Sequence, residues 1–487
     1  MKVYQLTQMQ RPKNGVDGLS RSCRRYWRHW AVDKCGLALG LAALLQLGSV
    51  GAHAQIEDVS TAIYPMTEAY VETFYPLWFT FYQTTLASII GSTNTLVGPD
   101  RITPIYQSVV AINDDTLYAS TFVDISTEPL VVTIPSTRAT YSILTLDLYG
   151  NIFSTGIPVG QPGTYAFTGP RWSGTLPPNV IAKSSQLDYF ILIFRADKSN
   201  SMGDDLTAEA EAFRTATLAQ PLTAYKSDRN GGATKVISVA TFATPFKTGA
   251  DLLIAKSPIT FLRLLQAAVH FSNIPPLSTD EQFLSDTFDR LFKRGAVTGP
   301  AAADFAGGAQ AAHAAILNRY LTHTGPTNWI NFTNIGEWGR RVIDRAAITE
   351  FIQYGNGPST AAYFHAFVDG QGLALDGRQP GGYVLTFAAN QIPEFNRFWS
   401  VTAYTPEAIE LIPNSRNKYV VASYTPGLVK NPNDGSISIY MSPTPPIGRP
   451  EANWLPVSRG PFNIMLRVYG PKFAPGTYTP PAILRMN

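Results

Sequence analysis

The sequence predicts a β-dominated α+β chain, with one β-domain, a helical middle and a second β-domain in that order. Three observations carry this. Apolar residues recur with the period of strands over residues 98–200, helical spacing takes over in 201–355, and short β-branched and aromatic runs return in 356–487. Ahead of them lie a leader, residues 1–54, and an N-terminal helical segment, residues 55–97. A length of 487 residues agrees with two or three domains at about 100–200 residues each.

The leader has the layout of an export signal. A basic stretch (Arg21, Arg24, Arg25, Arg28, Lys34) precedes an apolar run over 36–50, and Ala52-His53-Ala54 offers small residues for cleavage before Gln55. The run is interrupted by Gln46 and is shorter than the roughly 20 residues that span a bilayer. The expectation is a periplasmic or secreted protein that starts at Gln55 and has no stable membrane span after cleavage.

In the next segment, 63–90 is dense in aromatic residues (Tyr64, Tyr70, Phe74, Trp78, Phe79, Phe81, Tyr82) and reads as one or two helices interrupted at Pro76. Strands are expected over 116–125, 129–134, 141–148 and 189–194. Helices follow over 206–218, 259–271, 280–292 and 309–321, with Ser278-Thr279-Asp280 capping the third. Strands resume over 383–387, 399–404, 419–422, 436–440 and 462–469, and Asn433-Asp434-Gly435 suits a tight hairpin.

Several function classes are excluded at this level. The leader carries eight Lys/Arg and two Asp, so the rest of the chain has 30 basic and 33 acidic side chains, a balance of −3. That balance leaves no electrostatic footprint for nucleic acid. Both cysteines, Cys23 and Cys35, lie in the leader, which removes disulfide scaffolds and thiolate chemistry. There is no G-x-S-x-G, H-E-x-x-H, P-loop or dinucleotide fingerprint. No motif calls for a cofactor, and no metal site is expected. Of the four histidines beyond the leader (His270, His313, His323, His365), no two have helical i, i+4 spacing, and the last three are the first to test as ligands.

Two ordered sets of motifs resemble a known pairing. The first comprises Asn113-Asp114-Asp115-Thr116-Leu117-Tyr118, Glu128-Pro129 and Asp147-Leu148-Tyr149-Gly150-Asn151-Ile152-Phe153. The second begins with Phe398-Trp399-Ser400-Val401-Thr402-Ala403-Tyr404 and Asn417-Lys418-Tyr419. It continues through Asp434-Gly435-Ser436, Asn453-Trp454-Leu455-Pro456 and Gly460-Pro461-Phe462-Asn463 to Leu466-Arg467-Val468-Tyr469. Together they resemble the bacterial family in which domain of unknown function 1254 precedes domain of unknown function 1214. The resemblance implies two β-sandwich-like, jelly-roll-type domains joined by helices, and exported relatives, but no settled activity. Lys418 stands where the family usually has Arg, and Thr405 where relatives often have Asp, so a polar ligand at those positions would differ here.

The candidate chemistry is acidic and aromatic. Asp115 precedes a strand and Asp147 lies in an apolar one, where an unpaired carboxylate would cost several kcal/mol. Strand alternation places Thr145, Asp147 and Tyr149 on one face and Leu144, Leu146 and Leu148 on the other. Asp115 with Asp147 could then divide acid and base roles. Alternatively Asp115 caps a turn and Asp147 joins a structural network. Asn113, Tyr118 and Tyr149 are ligand-binding candidates in the first β-domain. Trp399, Tyr404, Arg416, Asn417, Tyr419 and Trp454 are those of the second, where an aromatic platform could stack a sugar or hold an apolar ligand, and where core packing is the alternative. Arg467 could neutralise a buried acid, Asp147 among them. Two functions follow. One is an exported hydrolase acting on an envelope or environmental organic substrate through an acidic and aromatic cleft. The other is a non-catalytic envelope protein, structural or binding a glycan or apolar ligand. The partner is thus a small molecule or glycan and not nucleic acid, and the oligomeric state stays open.

Overall fold

A computed structural model describes residues 55–87, 93–107, 109–238, 244–272, 274–294 and 297–486. The segment expected to be an export signal and both cysteines fall outside the described residues. Helix α1, Gln55–Ala87, runs through Pro65 and Pro76 as a single element, so the expected interruption at Pro76 does not occur. An interior proline costs a helix about 3 kcal/mol. Here Tyr70, Phe74, Tyr75, Trp78 and Phe79 are all buried around it, and at about 1.5–3 kcal/mol each their burial outweighs that cost.

Ten strands build the first sandwich: β1 Val97–Pro99, β2 Thr116–Asp124, β3 Leu130–Ile134, β4 Tyr141–Leu146, β5 Ile152–Phe153, β6 Gly163–Thr168, β7 Val180–Ser184, β8 Tyr189–Asp197, β9 Leu218–Pro221 and β10 Lys235–Ile237. One sheet has the order β10-β1-β2-β8-β4-β5 and the other β7-β6-β3-β9. Val123, Phe190 and Leu192 of the first sheet meet Leu130, Val132, Tyr165 and Phe167 of the second in one core. Helices α2 Thr207–Ala216 and α3 Leu222–Ser227 flank β9, which lies well beyond the strands the sequence suggests.

The middle holds α4 Phe246–Lys256, α5 Pro258–Val269, α6 Thr279–Arg294, α7 Gly299–Leu321 and α8 Val342–Phe351. With α1 they cover the outer face of the six-stranded sheet, whose Tyr118, Phe122, Leu144, Leu146, Ile191 and Ile193 join the helical core. This sheet is therefore buried on both faces. Among the described residues no single helix is long and apolar enough to cross a membrane.

The second sandwich comprises β11 Ala361–Ala366, β12 Tyr383–Phe387, β13 Phe395–Tyr404, β14 Val420–Ala422, β15 Ile437–Ser442, β16 Trp454–Pro456, β17 Asn463–Pro471 and β18 Leu484–Arg485. Its sheets have the orders β11-β17-β13-β14 and β16-β15-β12-β18, and Phe364, Val401 and Leu466 pack on Leu385, Ile439 and Leu455 between them. On its other face the first of these sheets gives Tyr363, Phe398, Tyr404, Met465 and Tyr469 to the helical core. Gly435 takes φ +72° in the expected turn. That turn leads from β14 in one sheet to β15 in the other, so it is a sheet-to-sheet crossover and not a hairpin.

Candidate functional site

The family motifs of the two β-domains meet in space. Asn113 ends the approach to β2 and its side chain closes a local turn, Oδ1 accepting from the amide of Asp115 at 2.9 Å. Its Nδ2 donates to the hydroxyl of Tyr118 at 2.7 Å and to that of Tyr469 on β17 at 3.0 Å. Asp115 is sealed in the same junction. Ser400 on β13 donates to Oδ2 at 2.8 Å, and the Tyr424 hydroxyl donates to Oδ1. Arg467 donates to the carbonyl of Ala111, and its guanidinium lies 5.5 Å from the ring centre of Tyr404, whose hydroxyl donates to the Ile112 carbonyl at 2.7 Å. At the rim, Arg397 pairs with Asp197, and Lys198 pairs with Asp114 at 2.7 Å.

Against this network lies a cavity of about 60 Å³, walled by Asn113, Tyr118, Arg195, Tyr354, Arg467 and Tyr469 among others. Strand pleating explains the two arginines. Arg195 on β8 stands opposite Tyr118 on β2, and Arg467 on β17 stands opposite Tyr363 on β11, each on the outer face of its sheet. Arg195 donates to Asn356 Oδ1 at 2.6 Å and to the Tyr354 carbonyl at 2.7 Å, while its Nε and Arg467 Nη1 have no hydrogen-bond partner. Arg195 is 6 % exposed and Arg467 2 %, and among the described residues neither forms a salt bridge with a carboxylate. Asp115 is near enough to bias Arg467 electrostatically.

Asp147 is elsewhere and does not pair with Asp115. β4 ends at Leu146, so Asp147 begins a turn and does not sit within a strand. Its Oδ1 accepts from the amides of Tyr149 and Asn151 at 2.9 Å each, and Oδ2 accepts from Asn151 Nδ2 at 2.7 Å. Burial raises its pKa and these bonds oppose the rise, with Arg345 as the nearby cation. Arg467 is thus not its partner. The alternation read over 144–149 holds for Leu144, Leu146 and Leu148, which share the helical core, but Tyr149 enters that core too and Asp147 lies past the strand end. Tyr149 lies beneath Arg345, 4.7 Å from the guanidinium carbon, and with Asp147 it lines a separate cavity of about 30 Å³.

The second-domain candidates do not form a platform. Trp399 points into the sandwich core beside Phe387, while Tyr404 points to the opposite face toward Arg467. Trp454 is buried, with its indole donating to the Ser442 carbonyl at 3.0 Å. Tyr419 donates to Asn417 Oδ1 at 3.1 Å. Asn417 itself takes φ +48° in an exposed turn, next to Arg416, which is also exposed and lies 3.3 Å from Glu451. Lys418 donates to the carbonyls of Glu451 and Ala452, a structural task. Of the predicted ligand residues, the structure therefore brings Asn113 and Tyr118 to the cavity, with Tyr404 behind Arg467. Arg195, Tyr354 and Tyr469 were not singled out as site residues. A cation inside the apolar run 189–197 was the available signal for Arg195.

Among the histidines, His365 is fully buried, bonding Tyr320 through Nδ1 and Asn463 through Nε2. Burial pushes its pKa down to about 3, so it stays neutral. His270 is exposed beside Asp289, and His323, its pKa lowered by burial and by Arg319, lies over Phe332.

The family described as Protein of unknown function (DUF1254) matches residues 93–221, and the one described as Protein of unknown function (DUF1214) matches 360–473. No curated protein matches the chain. Among solved structures, the VPA0106 protein from Vibrio parahaemolyticus is similar in fold, with a TM-score of 0.55 at 19% identity, covering 87% of this chain and 100% of that one. An uncharacterized protein from Burkholderia cenocepacia has a TM-score of 0.40 at 15% identity, covering 88% of this chain and 96% of that one. Both matches fall on one chain in the predicted order, a DUF1254 segment followed by a DUF1214 segment.

Proposed function

We propose that this is an exported binding protein for a small carboxylate, held in the cavity where the two β-domains meet. The observation that carries the reading is the pair of buried guanidiniums, Arg195 and Arg467, at one cavity without a salt-bridged acid among the described residues. A buried cation lacking a full counter-charge costs several kcal/mol, and an entering anion would offset that cost. Guanidinium with carboxylate is the strong, directional form of this pairing. Tyr118 and Tyr469 accept from Asn113, which leaves their hydroxyl protons able to turn toward an anion. The volume sets the size. A cavity of about 60 Å³ is well under the roughly 150 Å³ that admits benzene, which favours a two- or three-carbon acid over a glycan.

The hydrolase alternative draws little support from its two aspartates. Asp115 and Asp147 share no partner, and their oxygens are occupied by separate sets of donors. The export part of the reading rests on the leader's layout alone.

Calorimetric titration of the purified protein with acetate, propionate and uncharged acetamide tests the proposal. The two acids are expected to bind and acetamide not, with Arg467→Met and the milder Arg195→Gln each weakening acetate at least tenfold. Equal binding of acetamide, or acetate affinity unchanged in both variants, would overturn it.

A further inference from the structure

A second polar cluster lies inside the helical layer, among none of the family motifs. Lys247 and Asp251 lie one turn apart on α4, His313 comes from α7, Glu350 from α8 and Tyr75 from α1. Glu350 is fully buried, Lys247 5 % exposed and His313 8 % exposed. The Lys247 ammonium lies 2.5 Å from Glu350 Oε1 and 2.8 Å from Asp251 Oδ2, so it serves one oxygen of each carboxylate. The other oxygens face the imidazole. His313 Nε2 is 3.5 Å from Asp251 Oδ1 and 3.8 Å from Glu350 Oε2, and Tyr75 donates to the latter.

These spacings are too long for hydrogen bonds, and neither His313 Nε2 nor Asp251 Oδ1 has a hydrogen-bond partner. They do come near the length of two edges of a coordination tetrahedron. Two ligand atoms each about 2.0–2.1 Å from one ion at the tetrahedral angle stand about 3.4 Å apart. One nitrogen and two carboxylates, with all three ligand atoms within 4.8 Å of one another, make a compact mixed-donor set. Magnesium and calcium need six or more oxygens, which this set does not supply, whereas zinc and its first-row neighbours accept three protein ligands and leave a fourth position open. The partly exposed side of Asp251 gives a route for the ion.

We infer that His313, Asp251 and Glu350 form a binding site for a zinc-class divalent cation, with Lys247 holding the two carboxylates from behind. The site is independent of the carboxylate cavity. Lys247 plays two opposed parts: it hydrogen-bonds Asp251 and ion-pairs with Glu350, which orients the carboxylates, and its charge weakens the affinity for a dication.

The test is equilibrium dialysis of chelator-stripped protein against zinc, with bound metal counted by mass spectrometry. Wild type is expected to hold one zinc per chain, His313→Gln and Asp251→Asn to weaken binding at least tenfold, and Lys247→Met to tighten it at least tenfold. Cobalt in place of zinc should give the strong visible bands of a tetrahedral ion in wild type, a readout that does not depend on any variant folding. Zinc held equally by His313→Gln, absence of bound zinc from both wild type and Lys247→Met, or only the weak spectrum of octahedral cobalt would each overturn the assignment.

Discussion

Asn113 shows how much one side chain can organise here: its carbonyl fixes the turn before β2, and its amide ties a tyrosine from each β-domain. Glu410 provides a test at the same scale. It is largely buried in a loop, one oxygen has no hydrogen-bond partner, and burial pushes its pKa up to about 7, only partly offset by Gln107. A carboxyl whose folded pKa is raised favours the folded state below the unfolded value, and that contribution is lost as pH rises through about 7. Glu410→Gln should therefore stabilise the protein at pH 8 by on the order of 1 kcal/mol, the full shift being trimmed by solvent screening, and change little at pH 4.5. Urea unfolding at the two pH values checks this, and an equal difference at both would contradict it. Residue identity was readable at Asp115 and Asp147, because an acid beside apolar strands must be satisfied. Its satisfier was not readable, since Ser400 and Tyr424 lie some 285 and 309 positions away from Asp115.

Elements with their own local signals were legible from sequence. Helix α6 begins with a reciprocal cap: Glu281 donates its amide to Ser278 Oγ at 3.3 Å, and Ser278 donates its amide to Glu281 Oε2 at 2.9 Å. Ser278→Ala is expected to cost about 1 kcal/mol in chemical unfolding, and no loss would show that tertiary packing alone sets the helix start. Helix α7 starts at Gly299, ten residues before the expected 309, because its first turns are alanine- and glycine-rich and carry little periodicity. Periodicity over 144–149 put the three leucines on one face but misled about Thr145 and Tyr149, which are buried as well. Alternation separates core from solvent only when one face is wet, and the six-stranded sheet is covered on both sides. Pro76 misled for the related reason that a buried helix tolerates a breaker that an isolated one would not.

At the scale of the molecule, the order of β-domain, helices and β-domain was visible in the changing period, but the contact between the domains was not. Asn113 and Tyr469 are 356 positions apart, and no local pattern brings them together. Their meeting places Arg195 and Arg467 on one cavity, and the proposed function depends on that juxtaposition. Bromide is an anion that can be located by anomalous scattering, so crystals soaked in bromide show whether this cavity takes an anion. The expected result is an anomalous peak within hydrogen-bond reach of Arg467 Nη1 that disappears when acetate is added. A cavity without a peak while surface sites fill, or a peak that acetate does not displace, would rule out a carboxylate site between Arg195 and Arg467.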